Sequence, residues 1–286
     1  MKNIHESKKD FLTHCCYEKN LSDKTLKSYS IDLAQFIAYL IGGQYPLDVV
    51  DIDKTVIREY LQSISSFKPK TIKRKIATIK ALFNFLEFED KLVVNPFRKL
   101  RIQIREPYRL PKVMNIQEIE SIIRSAYNMK VPGKKVIGRR YLERIQDIAV
   151  IELLFATGIR VSELSQLRNE SINLSTGLLR VRGKGDKERI ITICNTECLK
   201  AVREYNTYFH QHGSGNEAYF LVNRLKKRLS EQSIRFIVKK HARLAGLERN
   251  ITPHVFRHSF ATLLVINLYK CHQDEKYYQS SAGLFQ

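Results

Sequence analysis

Thr252-Pro-His254-Val-Phe-Arg257-His258-Ser-Phe-Ala-Thr-Leu-Leu264 is the stretch on which the reading of this chain turns. Thr252 suits a helix N-cap, and Pro253 suits the first helical position, where a missing N–H loses no bond. On the helix that follows, His254, Arg257 and His258 stand at i, i+3 and i+4 and share one face. Two upstream stretches concentrate similar residues. Ala156-Thr-Gly-Ile-Arg160-Val-Ser-Glu-Leu164 sets an arginine just after a glycine turn at a helix start. Arg182-Gly-Lys184-Gly-Asp-Lys187-Glu-Arg189 projects lysines on a hairpin tip. Each stretch alone has a plain reading, as a surface arginine, an ordinary turn or a satisfied polar pair. Together they share a chemical logic. Attack on a phosphodiester builds negative charge on the non-bridging oxygens, and two guanidinium groups can clamp those oxygens with forked hydrogen bonds. A histidine adds a hydrogen bond or moves a proton, and a lysine can protonate a leaving oxygen.

Working outward, the region around these motifs is mostly helical. Asn115-Ile-Gln-Glu118 has the form of a capping box. Asp147 to Ala156 is strongly apolar and stops at Thr157-Gly158. Leu178–Arg182 and Arg189–Ile193 are β-prone runs around a glycine-containing turn, which predicts a hairpin. Helices are expected near Glu197 to Gln211 and Ser230 to Ala245. Upstream, residues 1–106 read as helices with little strand character. Leu26, Tyr29, Leu33, Phe36, Ile37 and Leu40 recur at helical spacing until Gly42-Gly43. A second helix is expected from Val56 to Ile64 behind an Asp53 cap, and a third from Lys70 to Phe88 after Pro69. Glu106-Pro-Tyr-Arg-Leu-Pro111, extended by its two prolines, divides a first domain, 1–106, from a second, 107–286.

Charge narrows the partner. Among 286 residues, 49 are Lys or Arg and 29 are Asp or Glu, a net charge of +20, so a polyanion is expected. Ser65 to Leu82 holds Lys68, Lys70, Lys73, Arg74, Lys75 and Lys80 and no acid, and could lie along a phosphate backbone. A basic loop from Lys130 to Arg144, including Lys134, Lys135, Arg139 and Arg140, is a second phosphate-facing segment, and Lys187 on the hairpin a third. No apolar run is long enough to span a membrane, and the N-terminus has no apolar signal core, so a cytoplasmic protein is expected. The five cysteines are odd in number and scattered, neither a disulfide framework nor a set with metal-ligand spacing. No metal and no cofactor are expected.

The three motifs, in their order and spacing, resemble the signatures of the tyrosine recombinases, the phage-integrase family that includes the Xer-type enzymes. Leu21-Ser-Asp-Lys-Thr-Leu26 and Lys70-Thr-Ile-Lys-Arg-Lys-Ile76 resemble that family's helical core-binding domain, so the likeness spans nearly residues 1–264. The resemblance implies a mainly α (α+β) fold: a SAM-like helical core-binding domain, then a mostly helical catalytic domain with a small antiparallel sheet, the two closing around duplex DNA. It implies that Arg160 and Arg257 clamp the scissile phosphate, that Lys184 is the general acid and that His254 assists. It gives His258 a structural part and makes Glu163 a helix partner. The reaction implied is DNA cleavage and rejoining through a 3′-phosphotyrosyl bond, needing neither ATP nor metal, within a four-subunit synapse.

Past Leu264 the sequence departs from the family. The usual Leu-Gly-His patch is missing, and the usual tyrosine lies roughly thirty residues past the H-x-x-R arginine, a motif spacing. Here Tyr277 and Tyr278 fall 20 and 21 residues after Arg257, without the family's flanks, and read as surface tyrosines on a polar tail. The nucleophile is therefore unassigned, and the tail is expected to reflect a truncated or frame-shifted gene. Two functions stay open: a recombinase by descent, or a non-cutting DNA-binding remnant occupying a recombination site. An unrelated RNA-binding protein is a third, with no aromatic stacking motif to support it.

Overall fold

A computed structural model describes residues 3–107, 112–128, 139–183, 187–211 and 218–264. The chain divides into two compact units, Met1–Arg109 and Leu110–Gln286, each with its own apolar core.

Among its described residues the first unit contains four helices, α1 (Ile4–Tyr17), α2 (Asp23–Gly42), α3 (Lys54–Ser63) and α4 (Pro69–Phe88), followed by a short 3₁₀ turn at Pro96–Lys99. α2 buries Leu33, Phe36 and Leu40 of the stripe its spacing predicts, in one core with Ile79, Leu82, Phe83 and Leu86 of α4 and Ile57 and Tyr60 of α3. Asp53 caps α3 by accepting from the backbone N–H groups of Thr55 at 2.8 Å and Val56 at 3.0 Å. α1 packs on α2 and α4. Its buried positions are Ile4, Ser7, Phe11 and Cys15, only two of them large and apolar, which leaves a faint periodic signal.

The charge run on α4 corrects an expectation. Lys68, Lys70, Lys73 and Lys80 are exposed, but Lys75 is only 4% exposed and cannot reach a phosphate. Its ammonium turns inward to Gln35 Oε1 and lies 3.7 Å from Asp32 Oδ1, under the Phe67 ring. Asp32 of α2 is fully buried and also takes bonds from the Arg74 guanidinium and, at 3.2 Å, from Thr78 Oγ1. Arg74 also donates to Ser28 Oγ at 2.9 Å, and its side chain stays 45% exposed. A buried carboxylate requires such partners, and the pairing fastens α2 to α4. The run therefore has an acidic neighbour after all, supplied by another helix.

The second unit is built on α6 (Arg139–Thr157). From Ile148 to Leu154 its side chains are buried all round, because α5 (Ile116–Asn128), α8 (Thr196–Asn206) and α9 (Glu231–Leu244) pack against it. The expected capping box opens α5: Asn115 N–H donates to Glu118 Oε2 at 2.9 Å, and Glu118 N–H donates to Asn115 Oδ1 at 2.8 Å. The expected basic loop from Lys130 to Arg144 is corrected in its second part, since Arg139, Arg140 and Arg144 belong to α6; Arg140 is exposed on its first turn. Lys130, Lys134 and Lys135 lie outside the described residues. α7 (Val161–Ser165) follows α6, and α8 runs on into a π-helical turn at Thr207–Gln211. A further helix, α10, occupies 253–264.

Three antiparallel strands, β1 (Ile172–Asn173), β2 (Leu178–Arg182) and β3 (Glu188–Thr192), form a sheet in that order. β2 and β3 are the predicted hairpin, in register Leu179↔Ile191, Val181↔Arg189 and Arg182↔Glu188. Leu179 and Val181 face the core while Arg180 and Arg182 face out, the alternation of a half-buried strand. β1 adds a third strand too short to leave a pattern in the sequence.

Candidate active site

The site grows out of the end of α6. Gly158 follows the last helical residue with φ +57°, a left-handed conformation that ends a helix and suits glycine. A β-carbon here would lie 2.3 Å from the Phe260 ring of α10, so glycine is required by packing as well. The turn carries the chain through buried Ile159 to Arg160, the N-cap of α7. The Gly158 carbonyl, released from the helix ladder, accepts a 2.6 Å bond from Arg257 Nη1 on α10. One turn thus presents Arg160 and fixes Arg257, two residues 97 positions apart in sequence.

Glu163, one turn into α7, has a side chain only 4% exposed. Its Oε1 accepts from Arg160 Nη1 at 2.6 Å and Arg189 Nη1 at 3.0 Å. Its Oε2 accepts from the Arg160 backbone N–H at 2.9 Å and Arg189 Nη2 at 2.7 Å. Burial alone would push this carboxyl up, but the donors from Arg189 and Arg160 outweigh it and hold it down at about 2. Arg189 is raised by the same carboxylate. Arg257 is lowered, by its burial and by the charge of the Arg160 guanidinium close by. Three arginines around one ionised glutamate leave a concentrated positive charge where an anion can be held.

His254 is exposed on α10, one turn before Arg257 and His258. Its Nε2 lies 2.9 Å from His258 Nε2, with the rings edge to face at 4.2 Å. Burial, His258 and Arg257 all lower the His254 pKa, favouring the neutral imidazole. Thr252 begins the helix as expected, accepting from Val255 and Phe256. Ser259 of α10 bonds the Met114 N–H at 2.7 Å, tying the helix to the segment that enters α5.

Of the residues singled out from sequence, Arg160, Arg257 and His254 are drawn together here. Gly183 N–H closes the hairpin on the Lys187 carbonyl at 2.8 Å, and Lys187 is exposed. Lys184, Tyr277 and Tyr278 lie outside the described residues. Two residues do more than their local sequence indicates. Glu163 is the helix partner expected, capping the Arg160 N–H, and also the centre of the cluster, while Arg189, expected only to open a β-prone run, forks onto it; a bidentate contact across 26 residues leaves no local pattern. A cleft of about 830 Å³, lined by Glu163, Arg180, Arg182, Tyr219 and Arg228 among others, opens on the sheet side of the cluster. Arg160, His254 and Arg257 are not among its lining residues. Among the described residues no helix is long and apolar enough to cross a membrane, and Cys15, Cys16, Cys194 and Cys198 are free thiols.

Comparison with known proteins follows the same division. Residues 9–90 match the N-terminal SAM-like domain of phage integrases, and residues 117–272 match the phage integrase family. A tyrosine recombinase of Agathobacter rectalis is 36% identical over 99% of this chain and 89% of its own length. Tyrosine recombinase XerC of Syntrophus aciditrophicus is 34% identical over 90% of this chain and 83% of its own. Among solved structures, the XerH site-specific recombinase bound to a palindromic difH substrate superposes with a TM-score of 0.69 at 21% identity, covering 90% of this chain and 73% of that one. A lambda integrase dimer bound to a COC′ core site gives 0.67 at 16% identity, covering 92% of this chain and 89% of that one. These two share the fold, a mainly helical pair of domains with one small antiparallel sheet. With sequence identity above 30% along almost its whole length, and with the arginine, hairpin and H-x-x-R motifs in place, the chain belongs to the phage integrase family of tyrosine recombinases.

Proposed function

We propose that this protein binds duplex DNA at a specific site and acts there as a tyrosine recombinase, cutting and rejoining strands. The observation that carries the reading is the convergence of Arg160 and Arg257 on one glycine turn, backed by Glu163 and Arg189. The two guanidinium groups take the non-bridging oxygens of the scissile phosphate and stabilise the charge that grows on them during attack. A tyrosine hydroxyl attacks phosphorus, the P–O5′ bond breaks and a 3′-phosphotyrosyl bond forms. Lys184 gives its proton to the departing 5′ oxygen. His254, favoured in its neutral form, can donate to a phosphate oxygen or receive the phenol's proton. Rejoining reverses each transfer, so bond energy is conserved without ATP. Residues 1–106 serve as the core-binding domain, with Lys68, Lys70, Lys73 and Lys80 toward the backbone, and residues 107–286 as the catalytic domain, to which Arg139, Arg140 and Lys187 add phosphate contacts. Further subunits join in a synapse, as the relatives solved as dimers and tetramers on DNA suggest. Free thiols suit a cytoplasmic location.

A nicked suicide duplex tests the chemistry. A covalent protein–DNA adduct that disappears in Arg257→Ala, and in either Tyr277→Phe or Tyr278→Phe, supports the full mechanism and names the nucleophile. Salt-dependent duplex binding without an adduct assigns the chain the non-cutting role. Binding insensitive to salt overturns both.

A further inference from the structure

We propose that Arg189 is a positioning residue that sets the aim of Arg160, acting through Glu163, and so couples the hairpin to the phosphate site. The inference rests on the reading of Arg160 as a phosphate ligand. A lone carboxylate beside Arg160 would work against that role, because a carboxylate and a guanidinium match as two parallel hydrogen bonds and would neutralise each other. Here Glu163 does not take Arg160 that way. Arg189 occupies both carboxylate oxygens with its own fork, at 3.0 and 2.7 Å. What remains for Arg160 is one side-chain bond, Nη1 to Oε1 at 2.6 Å, and its backbone N–H to Oε2. The Arg160 side chain is anchored at one nitrogen and 49% exposed, with the rest of its fork open to a phosphate. Arg189 also offsets the Glu163 charge, so Arg160 keeps its own.

The same contact spans two elements. Arg189 stands on β3 opposite Val181, two residues after Lys187, whose carbonyl closes the hairpin on Gly183. A β-carbon added to Gly183 would come within 3.4 Å of Arg189 Nη1 and 3.5 Å of Glu163 Oε1, so the hairpin base lies directly against the ion cluster. Lys184 follows Gly183 in the chain. A shift of the hairpin therefore moves Arg189, Glu163 and Arg160 together, linking the strand that leads to the lysine with the arginine turn. The side chain that transmits this is a planar fork, a shape lysine does not have.

A double-mutant cycle on duplex affinity, run with the full chain, isolates the effect. Arg189→Met should weaken binding about tenfold in the wild-type background, because Glu163 then captures Arg160, and less than about twofold when Glu163→Gln is already present. An equal loss in both backgrounds would show that Arg189 touches DNA directly and would overturn the proposal. The double variant carries no unpaired buried carboxylate, and its thermal unfolding midpoint serves as the folding control. Arg189→Lys keeps the charge and loses the fork; it should recover less than half of the lost affinity, and full recovery would overturn the role given to the fork. Carboxyl-carbon NMR of Glu163 reads the same contact without DNA: its titration, near 2 in the wild type, should move up in Arg189→Lys, and an unmoved titration refutes the proposal. If the wild type binds no duplex, the functional reading fails by itself, and the carboxyl titration still decides whether Arg189 holds Glu163.

Discussion

Glu163 shows how strongly one residue can depend on its surroundings. Its carboxyl pKa is lowered in the folded chain, so its contribution to stability is complete above the ordinary glutamate range and is lost as pH falls through about 2. Because both guanidinium partners are partly open to water, that contribution is on the order of 2 kcal/mol, less than the full shift would imply. Glu163→Gln should lower the urea unfolding free energy by about that much at pH 7, with the difference shrinking as pH is lowered. Constant destabilisation across pH would contradict an ionic origin. Gly158 makes a second prediction at this scale. Alanine there must adopt φ +57° and press its β-carbon into the Phe260 ring, costing on the order of 2 kcal/mol by chemical denaturation. Phe260→Leu should relieve part of that cost in the double variant. The motif around Gly158 was legible in the sequence because glycine after an apolar helix is a local signal. The Arg189–Glu163 contact was not, because it joins a strand to a helix through side chains alone.

Helix α4 carries a contrast between residues that look alike in sequence. Lys70→Ala and Lys73→Ala should each reduce the slope of log K against log salt by about 0.9, as expected for the loss of one phosphate contact on duplex DNA. Lys75→Met should leave that slope unchanged and alter stability instead, since Lys75 is buried beside Asp32. Its partner gives the sharper outcome: Asp32→Asn should cost about 3 kcal/mol or more in thermal or urea unfolding, because Lys75 is left charged and buried. A normal melt for Asp32→Asn would refute the account of this pair. At this scale α2 and α4, with their apolar stripes, and α3 and α9, capped by Asp53 and Ser230, could be read from the sequence, as could the β2–β3 hairpin. α1 was not singled out, because Ser7 and Cys15 fill half its buried face. The inward turn of Lys75 was hidden because the acid that draws it in lies 43 residues earlier, beyond any window along α4.

For the whole molecule, two separate cores make a prediction that no single helix can. Met1–Arg109 and Leu110–Gln286 should survive a cut near their boundary as two folded pieces, each giving its own cooperative unfolding transition. Limited proteolysis followed by calorimetry checks this, and rapid digestion of the first piece would contradict an independent core. The Glu106–Pro111 segment, whose two prolines interrupt the helical pattern in the sequence, spans the point where the two units part. The net charge of +20 announced a polyanion but could not say where it is met. That charge resolves into different uses: exposed lysines on α4, a ring of arginines around Glu163, and cations such as Lys75 spent on holding helices together.

The contact between His254 and His258 has a further consequence. Two Nε2 atoms 2.9 Å apart can share only one hydrogen along the line between them. With both rings neutral, if His258 holds that hydrogen, His254 carries its own on Nδ1 and offers a donor there. If His254 holds it, its Nδ1 is bare and offers an acceptor. The tautomers of the two rings are thus opposite by necessity; when the shared hydrogen crosses to His254 while its Nδ1 gives a proton up and His258 Nδ1 takes one on, what His254 shows to a partner is reversed and its net charge is untouched.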